Sequence, residues 1–187
     1  TPPSEDAEDL WSVIMGGAAG LDPGRGPDGA EIPALSPCGL AARDSLRLEA
    51  GMPLYGHELS EAITPFDASL GGVVGLDKPE FVGRVALVER AGRRGAEGTT
   101  VLVALAGRGR RAARAGSAVF DADGRRVGTV TSGLLSPTLG HPIALALVSP
   151  ASPESPDWPV GAELSADVRG RRLPMSVVAS PFYRRGR

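Results

Sequence analysis

The chain has 187 residues, 42% hydrophobic, 22% charged and only 4% aromatic, with a formal net charge of −2. That balance supports one or two domains with a core of Val, Leu and Ala, and argues against a nucleic-acid partner. A single cysteine, Cys38, excludes an internal disulfide and suits a reducing compartment, and the longest apolar run, "PIALALV" (142–148), has the length of a strand rather than of a membrane span.

In chain order, "TPPSEDAEDL" carries no initiating Met, no basic segment and no apolar leader, so it is not a signal peptide and reads as a piece of something longer. Ser4 with Glu5 and Asp6 predicts an N-cap and an acidic first turn, Leu10, Val13 and Ile14 an apolar helical face, and Gly16-Gly17 the stop. The Gly/Pro-rich stretch 21–37 predicts a loop. A second helix is expected over 39–50, ended by Gly51 in the left-handed conformation, with Pro53 preventing continuation. "TPFD" (64–67) predicts a turn capped by Thr64, "GGVVGL" (71–76) a short strand, and 78–92 a helix through Phe81, Val85 and Val88.

From Thr99 the pattern changes to strands: 100–105, 117–133, 142–148 and 162–178. Asp123-Gly124 and, less strongly, Arg169-Gly170 mark hairpin turns. Strands at short spacing without intervening helices predict a small β-barrel or sandwich, so the fold class is α+β with a boundary near 93–98. There are no internal repeats.

No catalytic constellation emerges from spacing. His57 and His141 have no accompanying Cys, Asp or Glu at ligand spacing, so no metal site is expected. There is no G-x-S-x-G element, and "GRGPDG" (24–29) does not follow a strand as a phosphate loop would. Cys38 reads as a small packed residue. The arginines of "GRGRRAAR" (107–114) lack interleaved aromatics and read as solvated strand ends and loops. What stands out is "GLAARDSLRLEAGMPLYG" (39–56), where Arg43 and Arg47 fall one turn apart on a helix, a repulsive spacing unless carboxylates or an anionic ligand answer it.

That stretch resembles the glycine-cleavage T-protein family, the aminomethyltransferases. The likeness continues through "LYGHEL", "TPFDASLGGVV" (64–74), "FVGRVAL" (81–87), "GRRVGTVTSGLLSPTLGHPIALALV" (124–148) and "PFYR" (181–184). It departs over 22–36 and after Tyr183. The resemblance implies domains around a central folate pocket, with residues 1–92 as the end of an α+β folate-binding body and 98–187 as a small C-terminal β-barrel. It places the family's catalytic aspartate upstream of Thr1, so no catalytic residue is expected within these residues and the chain alone is expected to be inactive.

The resemblance assigns Arg43 to folate or substrate binding, a role suited to a planar fork that makes two parallel bonds to a pterin edge or a carboxylate. Tyr55 and, more weakly, the "SPTLG" loop (136–140) and Arg184 become candidates for the pocket rim. Arg47 is expected to pair internally, with Asp44 and with Glu49 or another buried carboxylate. The implied reaction moves the methylene carbon from an aminomethyl-lipoyl arm on the partner H-protein to N5 of tetrahydrofolate, releasing ammonia. Tetrahydrofolate is then a substrate, with no metal, no nucleic acid and no membrane involved, in a bacterial cytoplasm or mitochondrial matrix. The alternatives are the folate module of a sarcosine- or dimethylglycine-type demethylating dehydrogenase, or a non-enzymatic folate-binding module. The iron–sulfur assembly relative is disfavoured because its K-G-C-[YF]-x-G-Q-E signature is missing.

Overall fold

In the computed structural model, which describes residues 4–26, 28–96, 98–152, 154 and 156–184, six antiparallel strands close into a barrel. They are β3 (Val101–Gly107), β4 (Ala118–Phe120), β5 (Arg126–Leu135), β6 (Pro142–Val148), β7 (Glu163–Val168) and β8 (Arg171–Val178), in the order β3-β6-β5-β4-β7-β8. Val101, Val103, Leu105, Val119, Val130, Ala146, Val148, Leu164, Met175 and Val177 fill the interior, alternating along each strand as the pleat requires. The predicted turns hold: Gly124 sits at φ 80° and Arg169-Gly170 at φ 57° and 76°, the left-handed pair of a tight hairpin.

One irregularity matters for the site. Val130 faces Ala146, but Ser132 faces Leu145, so Thr131 is an extra residue that bulges β5. Val130 therefore points into the barrel, whereas Ser132 and Leu134 point out of it. The outer face they share with Ala104, Ile143 and Leu145 packs on Leu48, which is completely buried. β6 is thus covered on both faces, which explains its unbroken apolar run.

The chain divides into two units, Thr1–Ala42 and Arg43–Arg187. In the first, a 3-10 turn Ser4–Asp6 leads into α1 (Ala7–Ala18), followed by the two-residue strands β1 (Gly24–Arg25) and β2 (Glu31–Ile32). Several expectations are corrected here. Asp6, not Ser4, occupies the cap position, and the helix runs through Gly16-Gly17 to Ala18. No described residue of this unit is buried, so the apolar stripe of Leu10, Val13 and Ile14 faces outward. The stretch 21–37 holds a small hairpin, closed by Gly26 N–H to Ala30 O at 2.8 Å. Cys38 is exposed rather than packed.

α2 (Leu40–Glu49) leads into the second unit, and its end follows the sequence reading. Gly51 has φ 66°, its N–H donates to Leu48 O at 2.8 Å, and the N–H of Met52 donates to Arg47 O at 2.8 Å, a Schellman close. The Thr64 turn is capped reciprocally, Thr64 N–H to Asp67 Oδ2 at 2.9 Å and Asp67 N–H to Thr64 Oγ1 at 3.2 Å. The expected strand over 71–76 is instead a 3-10 turn, Gly71–Val73. The helix expected over 78–92 begins only at Arg84, as α3 (Arg84–Gly92), because Gly83 takes φ 86°. The preceding bend is held by Arg84, whose guanidinium donates to Lys78 O and Leu76 O at 2.8 and 3.1 Å.

Candidate functional site

α2 turns two faces in opposite directions. Leu48 and Glu49 are buried, while Arg43 and Leu46, three residues apart, and Ala50 share the exposed face. The two arginines of the helix are used differently. Arg47, whose side chain is 9% exposed, gives Nη2 to Asp44 Oδ1 at 2.6 Å and to Ser132 Oγ at 2.8 Å, and Nη1 to Glu58 Oε2 at 3.2 Å. Its charge is spent inside the protein. Arg43 is exposed and has no hydrogen-bond or ion-pair partner among the described residues.

Glu58 answers Arg47 from a fully buried position. Its Oε2 also accepts the Leu54 N–H at 2.9 Å, whereas its Oε1 has no hydrogen-bond partner among the described residues. A carboxylate so placed is tolerable only beside a cation, which fixes where Arg47 must lie. Next to it, His57 Nδ1 lies 2.9 Å from Thr131 O. A carbonyl only accepts, so Nδ1 carries the proton. The bulge at Thr131 is what makes both contacts possible, aiming the carbonyl at His57 and the Ser132 hydroxyl at Arg47.

Glu49, expected as a partner of Arg47, does something else. Two residues further along the helix it points the other way and receives Ser136 Oγ, Thr138 N at 3.0 Å and Thr138 Oγ1 at 2.7 Å. Burial alone would push this carboxyl upward, but the hydrogen bonds from Ser136 and Thr138 outweigh it and leave the group below its ordinary value. Ser136 and Thr138 are thus ties for the helix. The backbone carbonyl of Glu49 accepts the Tyr183 N–H at 2.9 Å, which brings in the "PFYR" segment, with Phe182 packed on the cluster around Leu48.

Tyr55 is 71% exposed and lies in the turn after α2, its backbone bridged to Leu59. Leu46 (65% exposed) and Met52 (59%) are exposed apolar side chains of the same segment. Sequence reasoning missed Glu58 and Ser132. The one available signal was the acidic residue of "LYGHEL", since an arginine on the buried side of a helix needs a carboxylate from outside it. Among the described residues, no three His, Cys, Asp or Glu side chains gather as a metal site, and no helix is long and apolar enough to cross a membrane.

These features define a mixed α/β chain that ends in a closed antiparallel barrel, with a helix tied to the barrel by Arg47 through Ser132 and by the buried Glu49 through Ser136 and Thr138. Residues 3–78 match the GCVT N-terminal domain, and residues 98–184 match the glycine cleavage T-protein C-terminal barrel domain. The chain is 50% identical over 184 residues to an aminomethyltransferase of Cutibacterium acnes, covering 98% of this chain and 43% of that protein. It is 49% identical over 182 residues to an aminomethyltransferase of Streptomyces coelicolor, covering 97% and 44%. A crystal structure of glycine cleavage system aminomethyltransferase T from Bartonella henselae matches with a TM-score of 0.69 and 35% identity, over 80% of this chain and 40% of that one.

The chain belongs to the glycine cleavage T-protein family. It spans less than half the length of these curated relatives.

Proposed function

We propose that the protein acts in the aminomethyltransferase reaction of glycine cleavage, supplying the second half of the folate site. Residues 1–92 would form the end of the folate-binding body and 98–187 the closing barrel. The reaction passes the methylene carbon from the aminomethyl-lipoyl arm of H-protein to N5 of tetrahydrofolate, with release of ammonia and a reduced lipoyl arm. The observation that carries the reading is the contrast between the two arginines: Arg47 is neutralised by Asp44 and Glu58, and Arg43, one turn away, keeps an exposed guanidinium.

An unneutralised cation beside exposed Leu46, on a helix whose position is fixed by its ties to the barrel, suits an anionic or pterin-like substrate. Arg43 orients the substrate, and Tyr55 belongs to the rim. The enzyme's contribution is positioning of two bound substrates. A reducing interior, a bacterial cytoplasm or a mitochondrial matrix, suits a thiol as exposed as Cys38.

The test is calorimetric titration of a reduced folate into this chain together with the first half of a relative, beside Arg43→Ala. Weakening by about tenfold or more, ~1.4 kcal/mol, supports the assignment. Binding untouched by the substitution removes Arg43 from the site.

A further inference from the structure

The barrel carries a concave surface of about 800 Å³, lined by Arg110, Arg111, Arg114, Arg169 and Arg171 together with Ser117. Among the described residues, no aspartate or glutamate lines it. All five arginines are exposed, and none makes an ion pair among the described residues. Three other arginines are occupied: Arg94 pairs with Asp157, Arg125 with Asp121, and Arg172 lies over the Phe120 ring. In a chain of net charge −2, five guanidinium groups with no carboxylate partner among the described residues, from the β3–β4 loop and the β7–β8 hairpin, therefore meet in one cleft.

The cleft is built rather than incidental. The loop between β3 and β4 is pinned by Ala113, which is 1% exposed and inserted in the barrel core between the arginines. The backbone of Arg114 donates to Ser117 Oγ at 3.3 Å, its Nη1 reaches Gly133 O at 3.4 Å, and the Gly116 N–H donates to Val130 O at 2.9 Å. On the facing hairpin, Arg169 holds φ 57°, a conformation that favours Gly, Asn or Asp, so an arginine is kept there against its backbone preference. Strain of this kind is retained where the side chain it places is used.

We propose that this cleft binds a small oligoanion through its phosphate groups. Guanidinium forks recognise phosphate oxygens in pairs, and several unneutralised forks in one concavity call for several charges on one ligand. A chain of two or three phosphates concentrates that charge within the cleft's dimensions, whereas separate carboxylates of equal charge would spread beyond it. No aromatic side chain among the described residues lines the cleft, so a nucleobase finds no stacking platform there and a bare phosphate chain is held as well as a nucleotide. The proposal does not depend on the folate reading.

The experiment is calorimetric titration of the full chain with inorganic tripolyphosphate, ATP and tri-γ-glutamate at low and at about 0.15 M salt. The variants are Arg111→Ala/Arg169→Gly and, as a control of equal charge change, Arg125→Ala/Arg126→Ala. Arg169→Gly relieves the backbone, so that substitution does not threaten folding. The expected result is saturable tripolyphosphate binding, matched by ATP, weakened about tenfold or more by the first pair and little by the second. No binding to the folded protein, or equal losses from the two pairs, overturns the proposal. Tighter binding of tri-γ-glutamate than of tripolyphosphate overturns the phosphate assignment.

Discussion

Arg47 and Ser132 lie 85 residues apart in the chain and are joined by a 2.8 Å hydrogen bond from Nη2 to Oγ. Two residues further along α2, Glu49 is joined in the same way to Ser136, four residues further along the barrel chain. Cation and anion on one helix thus meet two hydroxyls on and beyond one strand. Leu48 between them fills the apolar space against Ile143 and Leu145. A helix held at both sides and in the middle has one position, and Arg43 inherits it.

Removing Glu58 tests the cation's anchor. In Glu58→Ala, Arg47 keeps only the exposed Asp44 as a carboxylate partner, and the Leu54 N–H loses its acceptor. The expected cost is about 3 kcal/mol, read as a lower urea midpoint at unchanged slope. Ser132→Ala should cost about 1 kcal/mol in the same assay.

Glu49 predicts a pH dependence. Its carboxyl lies below the ordinary value of 4.5 in the folded protein, so the unfolded chain takes up the proton first as pH falls. Its stabilisation is complete above that value and is lost progressively as pH drops toward the folded-state value. Glu49→Gln should be less stable near neutral pH and should flatten the stability–pH curve below about pH 4.5. Denaturant melts of both proteins between neutral and acid pH distinguish the two curves.

Arg43→Ala should leave stability within about 0.5 kcal/mol of the parent, because the side chain is exposed and unpaired. The expected effect of the substitution is on binding alone. A thermal melt beside the folate titration separates that outcome from an architectural role, which would lower the melting temperature.

Gly51→Ala combines two penalties. The residue sits at φ 66°, and an added Cβ would run into Ser180 Oγ and lie 3.2 Å from Pro181 Cα. A loss of more than about 1 kcal/mol is expected, with the melting temperature as the readout. Gly29→Ala, at φ 79° with open space around it, isolates the backbone part of the effect.

Most of the barrel was legible because its signals are local. Alternation gave the strands, and Asp123-Gly124 and Arg169-Gly170 gave the turns. The Gly51 cap and the Thr64–Asp67 pair also depend on neighbours in sequence. What the apolar spacing left unread has a different cause. Val85 (82% exposed) and Val88 (44%) make a helical face that nothing in the described chain covers, and the apolar residues of α1 behave alike. Apolar spacing reports a face that can be buried, not whether it is. The partner of Arg47 was hidden for a second reason: Glu58 lies eleven residues away, beyond the reach of any helical pairing rule. The bulge at Thr131, which turns Ser132 toward the arginine, follows from the pairing of β5 with β6 and leaves no mark in β5 alone.

The double coverage of β6 has a consequence for how this protein can be divided. A fragment cut at residue 98, where the barrel family match begins, would keep every strand of the barrel, yet it would leave Ile143 and Leu145 without Leu48. The closed barrel would then carry a greasy seam down its outer wall, flanked by Ser132 and Ser136 stripped of their charged partners. Such a piece can fold and still stick to its neighbours. The helix that carries Leu48 is therefore part of what keeps the barrel soluble, and a soluble barrel fragment needs it.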